Sequence, residues 1–169
     1  MKFKFCPKCA GELKVEGAGH EKVPVCQKCG FRFYQNSKPC TGAVILDEQN
    51  RVMMGKRAKS PHLHKWDLLG GFLNDGEDSI EGTKREIMEE LGVECKIGEV
   101  VTIVVDRYGL AKDDFNTINI FYKVKLLSQD FTPNEEIAEI KWFSQNEIPW
   151  KKLAFRNTTI ALKVLFKVK

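Results

Sequence analysis

Glu86, Glu89 and Glu90 are the residues of this chain whose types and spacing first suggest chemistry. On a helix turning about 100° per residue they fall within an arc of roughly 100°, and Ile80, Ile87 and Leu91 cluster on another side. Three close carboxylates repel one another and raise each other's pKa. A bland surface helix relieves this with a lysine four residues on, yet the residue four beyond Glu86 is Glu90. Taken as a charge cluster alone, this is either a solvated acidic face or an oxygen ligand set for a hard divalent ion such as Mg²⁺ or Mn²⁺. A second group is softer. Cys6-Pro-Lys-Cys9 and Cys26-Gln-Lys-Cys29-Gly30 form two CxxC pairs, with sixteen residues between Cys9 and Cys26. Each pair can turn two sulfurs onto one ion, and two pairs complete a closed tetrahedral zinc site. The other reading is a pair of redox-active CxxC motifs or unligated thiols. His20 reads as a loop residue, and Cys40 and Cys95 as small core residues.

The elements that must position these groups can be read from pattern. Residues 1–36 are rich in Cys, Lys and Gly, lack a helical period and read as a small zinc-ribbon β-hairpin lobe, which at that size needs a staple. Gln35 to Pro39 is a connector, and residues 37–169 form the main domain. Within it, Gly42–Leu46 and Arg51–Lys56 flank the turn Asp47–Asn50 and resemble a hairpin. A short strand, Trp66–Leu69, is broken by Gly70-Gly71. A helix is expected from Ser79 to Leu91, with Asp78 as N-cap and Gly92 just past its end. Strands are expected at 98–107, 116–127 and 138–143, and a last helix at 156–167.

The acidic helix belongs to a longer pattern. Gly71, Glu77, Arg85, Glu86, Ile87, Glu89, Glu90, Gly92 and Val93 match the Nudix box, G-x5-E-x7-R-E-U-x-E-E-x-G-U with U apolar, at every defined position. The chain is therefore similar to the Nudix hydrolases over roughly 40–167. Trp66-Asp-Leu-Leu-Gly-Gly71 resembles the family's lead-in, with Leu69 where proline is common. Ile137–Phe143 and Asn146–Pro149 resemble its later strand and helix entry. The resemblance implies an α/β fold, an α/β/α sandwich with a mixed sheet. It also implies divalent-metal hydrolysis of a nucleoside diphosphate linked to another moiety, such as ADP-ribose or a dinucleotide. By the same resemblance, Glu86 and Glu90 are the principal Mg²⁺ or Mn²⁺ ligands, and Glu89 binds directly or through water. The Gly70 carbonyl is a further ligand, and Glu77 supports the loop. Arg85 orients a glutamate. Glu136, ahead of Glu135 or Glu139, is the late glutamate that adds a ligand. Glu90 and Glu136 are the candidates for the base.

The ribbon ahead of such a domain resembles the NADH pyrophosphatase branch. That branch carries Ser-Gln-Pro-Trp-Pro-Phe-Pro-x-Ser about ten residues past the box. Here the stretch is Ile103-Val-Val-Asp-Arg-Tyr-Gly109, with no proline or tryptophan, which weighs against NADH and NAD-capped RNA as substrates. Tyr108, Trp66, Phe72, Phe115, Phe121 and Tyr122 are aromatic groups able to stack a base, with core packing as the plainer role for most of them.

Bulk properties set outer bounds. With 43% hydrophobic and 30% charged residues and a net charge of +4, the 169-residue chain has an ordinary globular composition. Its lysines and arginines are dispersed, so charge alone does not predict nucleic-acid binding. Lys2, Lys4, Lys8, Lys14, Lys22, Lys28 and Arg32 nevertheless leave binding of nucleic acid by the ribbon open, and a homodimer is equally left open. No run approaches the roughly 20 apolar residues of a membrane span, and no signal-peptide pattern precedes Cys6. The expectation is a cytoplasmic protein with reduced or metal-bound cysteines. The competing function is a nucleotide-sensing or nucleic-acid-binding module with little catalysis. The intact Arg85-Glu86 and Glu89-Glu90 pairs favour an enzyme.

Overall fold

The computed structural model describes residues 3–109 and 115–168. Lys2, counted above among the basic residues, lies outside them. The chain divides into two compact units, Met1–Asn36 and Ser37–Lys169.

In the first unit, β1 (Leu13–Glu16) pairs antiparallel with β2 (Val23–Cys26). Its core is small: Cys6, Leu13 and Cys26 are buried, with Cys9 and Phe33 packed against them. So few apolar side chains cannot offset the chain entropy of a lobe this size, which leaves the cysteines as its staple.

The second unit is organised by period-two alternation in its strands. β3 (Lys38–Ile45) runs parallel to β7 (Phe115–Leu126), which pairs antiparallel with β6 (Cys95–Tyr108). The spatial order is β3-β7-β6, a mixed sheet. A second three-stranded sheet, ordered β5-β4-β8, contains β4 (Val52–Arg57), β5 (Trp66–Asp67) and β8 (Ile137–Phe143). Alternate residues of β3 and β7 point to opposite faces. Ala43, Ile45, Tyr122 and Val124 join Ile87 and Leu91 of helix α1 (Ser79–Leu91) in one buried cluster. Val44 and Phe121 join Ala161 and Leu162 of helix α2 (Arg156–Phe166) in the other. The helices therefore cover opposite faces, giving the α/β/α sandwich. Among the described residues, no helix is long and apolar enough to cross a membrane.

The expected hairpin of Gly42–Leu46 and Arg51–Lys56 forms only at its tip. Asp47 holds the turn by accepting from the Gln49 and Arg51 amides at 2.9 and 2.8 Å, and Leu46 bridges to Val52. Beyond that, β3 and β4 enter different sheets. β3 is buried on both faces, so it pairs with β7 between the two helices, while β4 takes β8 and β5 as partners.

α1 begins where Asp78 accepts from the Ile80 and Glu81 amides, and it ends at Gly92 in the left-handed conformation. α2 is capped differently. Phe155 stands at its N-cap with no side-chain bond, and the Asp106 carboxylate of β6 accepts from the Asn157 amide at 2.6 Å.

Candidate active site

The loop before α1 and the helix itself converge on Arg85. Its Nε and Nη2 donate to the two oxygens of Glu77 at 2.7 and 2.9 Å, and Nη2 also reaches the Phe72 carbonyl at 2.9 Å. Nη1 donates to Glu86 at 2.9 Å and to Glu89 at 3.1 Å. The fork grips Glu77 bidentately, the strong form of such a contact. It ties the loop to the helix, and the Asn74 amide adds a bond to Glu77 at 2.8 Å. Arg85 beside it, then the Asn74 amide, lowers the Glu77 pKa to about 2. The Arg85 pKa is raised in turn, with the Glu77 bond as the first cause.

Glu90 lies deeper. Its carboxylate accepts from the Gly70 amide at 2.9 Å. Burial pushes its pKa well up; the Gly70 bond opposes this, and the neighbouring charges of Glu86, Asp67 and Glu136 add to it. Burial also raises the Glu86 pKa, against the pull of Arg85. Glu86 lies so close to the loop that a Cβ added at Gly71 would stand 2.5 Å from its Oε1. Only glycine leaves that carboxylate its place against the backbone.

Glu136 comes from the residue just before β8. Lys59 donates to it at 3.1 Å and to Glu135 at 2.6 Å. Glu139 lies elsewhere, paired with Lys56 at 3.2 Å.

Gly70, Arg85, Glu86, Glu89, Glu90 and Glu136 all line one cleft of about 380 Å³. Glu77 is not among its lining residues. The carbonyls on either side of Gly70 are taken, Leu69 by the Ala43 amide and Gly71 by the Thr41 amide. No hydrogen bond from the described residues reaches the Gly70 carbonyl itself. The donor set is thus all oxygen, and it fits a hard divalent cation. Among the described residues, the four cysteines are the one group of three or more ligand atoms that all lie within 4.8 Å of one another, and no three carboxylates do. Arg85 holds both Glu86 and Glu89, and Lys59 holds Glu136.

Several cleft residues carry no signal in local spacing. Arg57 donates to the Pro61 carbonyl at 2.8 Å, lies 3.5 Å from Asp67 and stands over the Phe155 ring at 5.2 Å. Phe155 is stacked on Tyr108, and Phe72 meets Tyr108 edge to face. Asp67 bonds to the Thr158 hydroxyl and the Leu68 amide, yet burial pushes its pKa up to about 6. A hint lay in the sequence: Asp67 is a charge inside an apolar strand, where an acid needs partners. Of the aromatic groups singled out above, Phe72, Tyr108 and Phe121 line the cleft; Trp66 and Tyr122 belong to the buried clusters.

In the N-terminal unit, the Cys6 and Cys29 sulfurs are 3.8 Å apart and those of Cys9 and Cys26 are 3.5 Å apart. A tetrahedron with metal–sulfur bonds of about 2.3 Å has edges of about 3.8 Å, so the four sulfurs fit one zinc ion. The Lys8 and Lys28 amides each donate to a sulfur at 3.4 Å, as metal-binding knuckles require. A Cβ at Gly11 would stand 3.0 Å from the Cys26 sulfur and 2.7 Å from the Lys28 Cβ, so this approach also needs glycine.

Fold and cleft together define an α/β domain built around a loop–helix of clustered carboxylates. Residues 36–163 match the family described as NUDIX domain, and the chain belongs to that family. Over 95% of its length it is similar to a crystal structure of a NUDIX hydrolase from Nitrosomonas europaea, with 32% identity, 89% of that chain covered and a TM-score of 0.75. It is 27% identical over 150 residues to the NAD-capped RNA hydrolase NudC of Pseudomonas aeruginosa, covering 86% of this chain and 49% of the relative. It is 25% identical over 150 residues to Nudix hydrolase 19, chloroplastic, of Arabidopsis thaliana, covering 86% of this chain and 33% of the relative. The chain thus spans half or less of the length of these two relatives.

Proposed function

We propose that this protein is a divalent-metal-dependent pyrophosphohydrolase that cuts a nucleoside diphosphate linked to a second moiety. The observation that carries the proposal is the single cleft in which Glu86, Glu89, Glu90, Glu136 and the Gly70 backbone present oxygen donors beside basic and aromatic walls. Its volume of about 380 Å³ suits a small ligand, against a usual range of about 300–1,000 Å³. Glu86 and Glu90 are the principal ligands for Mg²⁺ or Mn²⁺, with Glu89, Glu136 and the Gly70 carbonyl completing the set. When bound, the metal neutralises phosphate charge and lowers the pKa of an attacking water. Arg85 fixes the directions of Glu86 and Glu89 by holding both from one nitrogen, while Glu77 holds Arg85. Glu90 or Glu136 accepts the proton of the attacking water. The four cysteines hold one structural Zn²⁺, so residues 1–36 are a zinc ribbon and residues 37–169 the catalytic domain.

The second moiety is a finer matter. One relative is named an NAD-capped RNA hydrolase. The Ile103–Tyr108 stretch of this chain is strand and, through Gly109, lacks the proline-rich signature of the NADH pyrophosphatase branch. That departure favours a substrate other than NADH, such as ADP-ribose or another dinucleotide, although the proline that ADP-ribose hydrolases often carry about fifteen residues past the box is absent here too.

The test is turnover of ADP-ribose, NADH, diadenosine polyphosphates, nucleotide sugars and nucleoside triphosphates with Mg²⁺ and with Mn²⁺. One diphosphate-linked nucleoside should be cut far faster than the rest. Glu90→Gln should slow that reaction by about a hundredfold or more without loss of folding, the usual scale for a group that handles the proton. Full activity in Glu90→Gln would end the proposal.

A further inference from the structure

Lys59 has a place in the cleft that the reading so far does not use. Its ammonium stands 2.6 Å from Glu135 and 3.1 Å from Glu136, and all three side chains are about half exposed or more. Ion pairs this open contribute little and are easily exchanged. The start of the side chain, in contrast, is fixed. The Ala58 amide donates to the Glu136 carbonyl at 2.8 Å, which anchors the backbone of Lys59 beside the glutamate it touches. The four-carbon stem is free to swing, and it ends in a compact charge with three donors.

The other cations lining this cleft have partners other than Glu136. Arg57 is held by the Pro61 carbonyl, Asp67 and the Phe155 ring. Arg85 is held by Glu77 and the Phe72 carbonyl and reaches Glu86 and Glu89. Lys56 pairs with Glu139. Of these cations Lys59 alone has Glu136 as its partner. A metal that takes Glu136 competes with this ammonium for the carboxylate, where a diphosphate would bring new negative charge.

We propose that Lys59 changes partner during the reaction: it neutralises Glu135 and Glu136 while the metal is absent, and binds a diphosphate oxygen of the substrate once the metal takes Glu136. The inference rests on the reading of Glu136 as a metal ligand. It gives Lys59 two effects of opposite sign. The lysine competes with the metal in the empty cleft, and it holds the diphosphate in the loaded one.

The test uses the full chain with Mn²⁺ alone and then with α,β-methylene-ADP, a diphosphate that resists hydrolysis. Lys59→Met should bind Mn²⁺ about two- to fivefold more tightly, the scale of an exposed ion pair. The same variant, loaded with Mn²⁺, should bind the diphosphate about tenfold more weakly, the scale of a hydrogen bond to a charged group. Its KM should rise with a smaller change in kcat, and Lys59→Arg should restore much of the affinity. Lys56→Met removes a charge from the same wall and should reproduce neither shift. The proposal is overturned if Lys59→Met leaves both affinities unchanged or weakens both, if Lys56→Met matches it, or if the wild type ignores the diphosphate. Glu136→Gln separates the two ideas. Unchanged Mn²⁺ affinity in that variant defeats the metal-ligand reading; weakened affinity there, with no opposed shifts in Lys59→Met, defeats the Lys59 proposal alone.

Discussion

Arg85 joins more of the site than any single glutamate, because its guanidinium meets the loop through Glu77 and the helix through Glu86 and Glu89. Its bond with Glu77 sets a pH signature. The Glu77 pKa falls from an ordinary 4.5 to about 2 in the folded protein, first because of Arg85. A depressed carboxylate adds stability that is full above its unfolded pKa and is lost as pH falls through the folded value. The stability gap between wild type and Glu77→Gln should therefore be constant above about pH 5 and shrink steadily toward pH 2. Denaturant melts across that range would show it; a gap that closes near neutrality would contradict the assignment. The carboxylate face, Arg85 and Asp78 were legible because fixed offsets on one helix place them whatever the rest of the chain does. Arg57, Lys59, Asp67, Phe155 and Asn157 were not, since they reach the cleft from separate stretches that only the assembled sandwich brings together.

At the scale of elements, α1 is an unusually self-sufficient piece of sequence. It has its own cap at Asp78, its own stop at Gly92 and a buried face in which Ile87 and Leu91 are fully covered. Asp78→Ala should cost about 1 kcal/mol, the typical loss for a capping side chain. Ile87→Ala should cost about 2–5 kcal/mol, because it opens a cavity in a packed cluster. Urea unfolding of the two variants checks both figures, and the larger loss must fall on Ile87. The strands behave otherwise. Gly42–Leu46 and Arg51–Lys56 look like a hairpin because a good turn joins two apolar runs, but strand pairing is decided by distant partners. β3 is apolar on both faces, which marks a central strand flanked by helices, and its run of consecutive apolar residues carried that message. β5 shrank to Trp66–Asp67 because Leu69 leaves the β4 side and bridges instead to Ala43 of β3.

For the molecule as a whole, the two units keep separate cores: neither buried cluster of residues 37–169 includes a residue of the first 36. Metal analysis should find about one tightly held zinc per chain, bound by Cys6, Cys9, Cys26 and Cys29. Stripping it with a chelator should erase the dispersed NMR signals of the N-terminal unit and leave those of the larger one. A zinc-free N-terminal unit with its signals intact would refute the four-thiolate site. The borrowed cap on α2 reaches further than its single bond. Because Asp106 sits on β6, two residues before Tyr108, the strand and the opening turn of the helix share one clasp. Phe155 and Asn157 line the cleft from that turn. A ligand that shifts the end of β6 loosens or tightens the clasp as well, so amide exchange at Asn157 should change when the cleft fills.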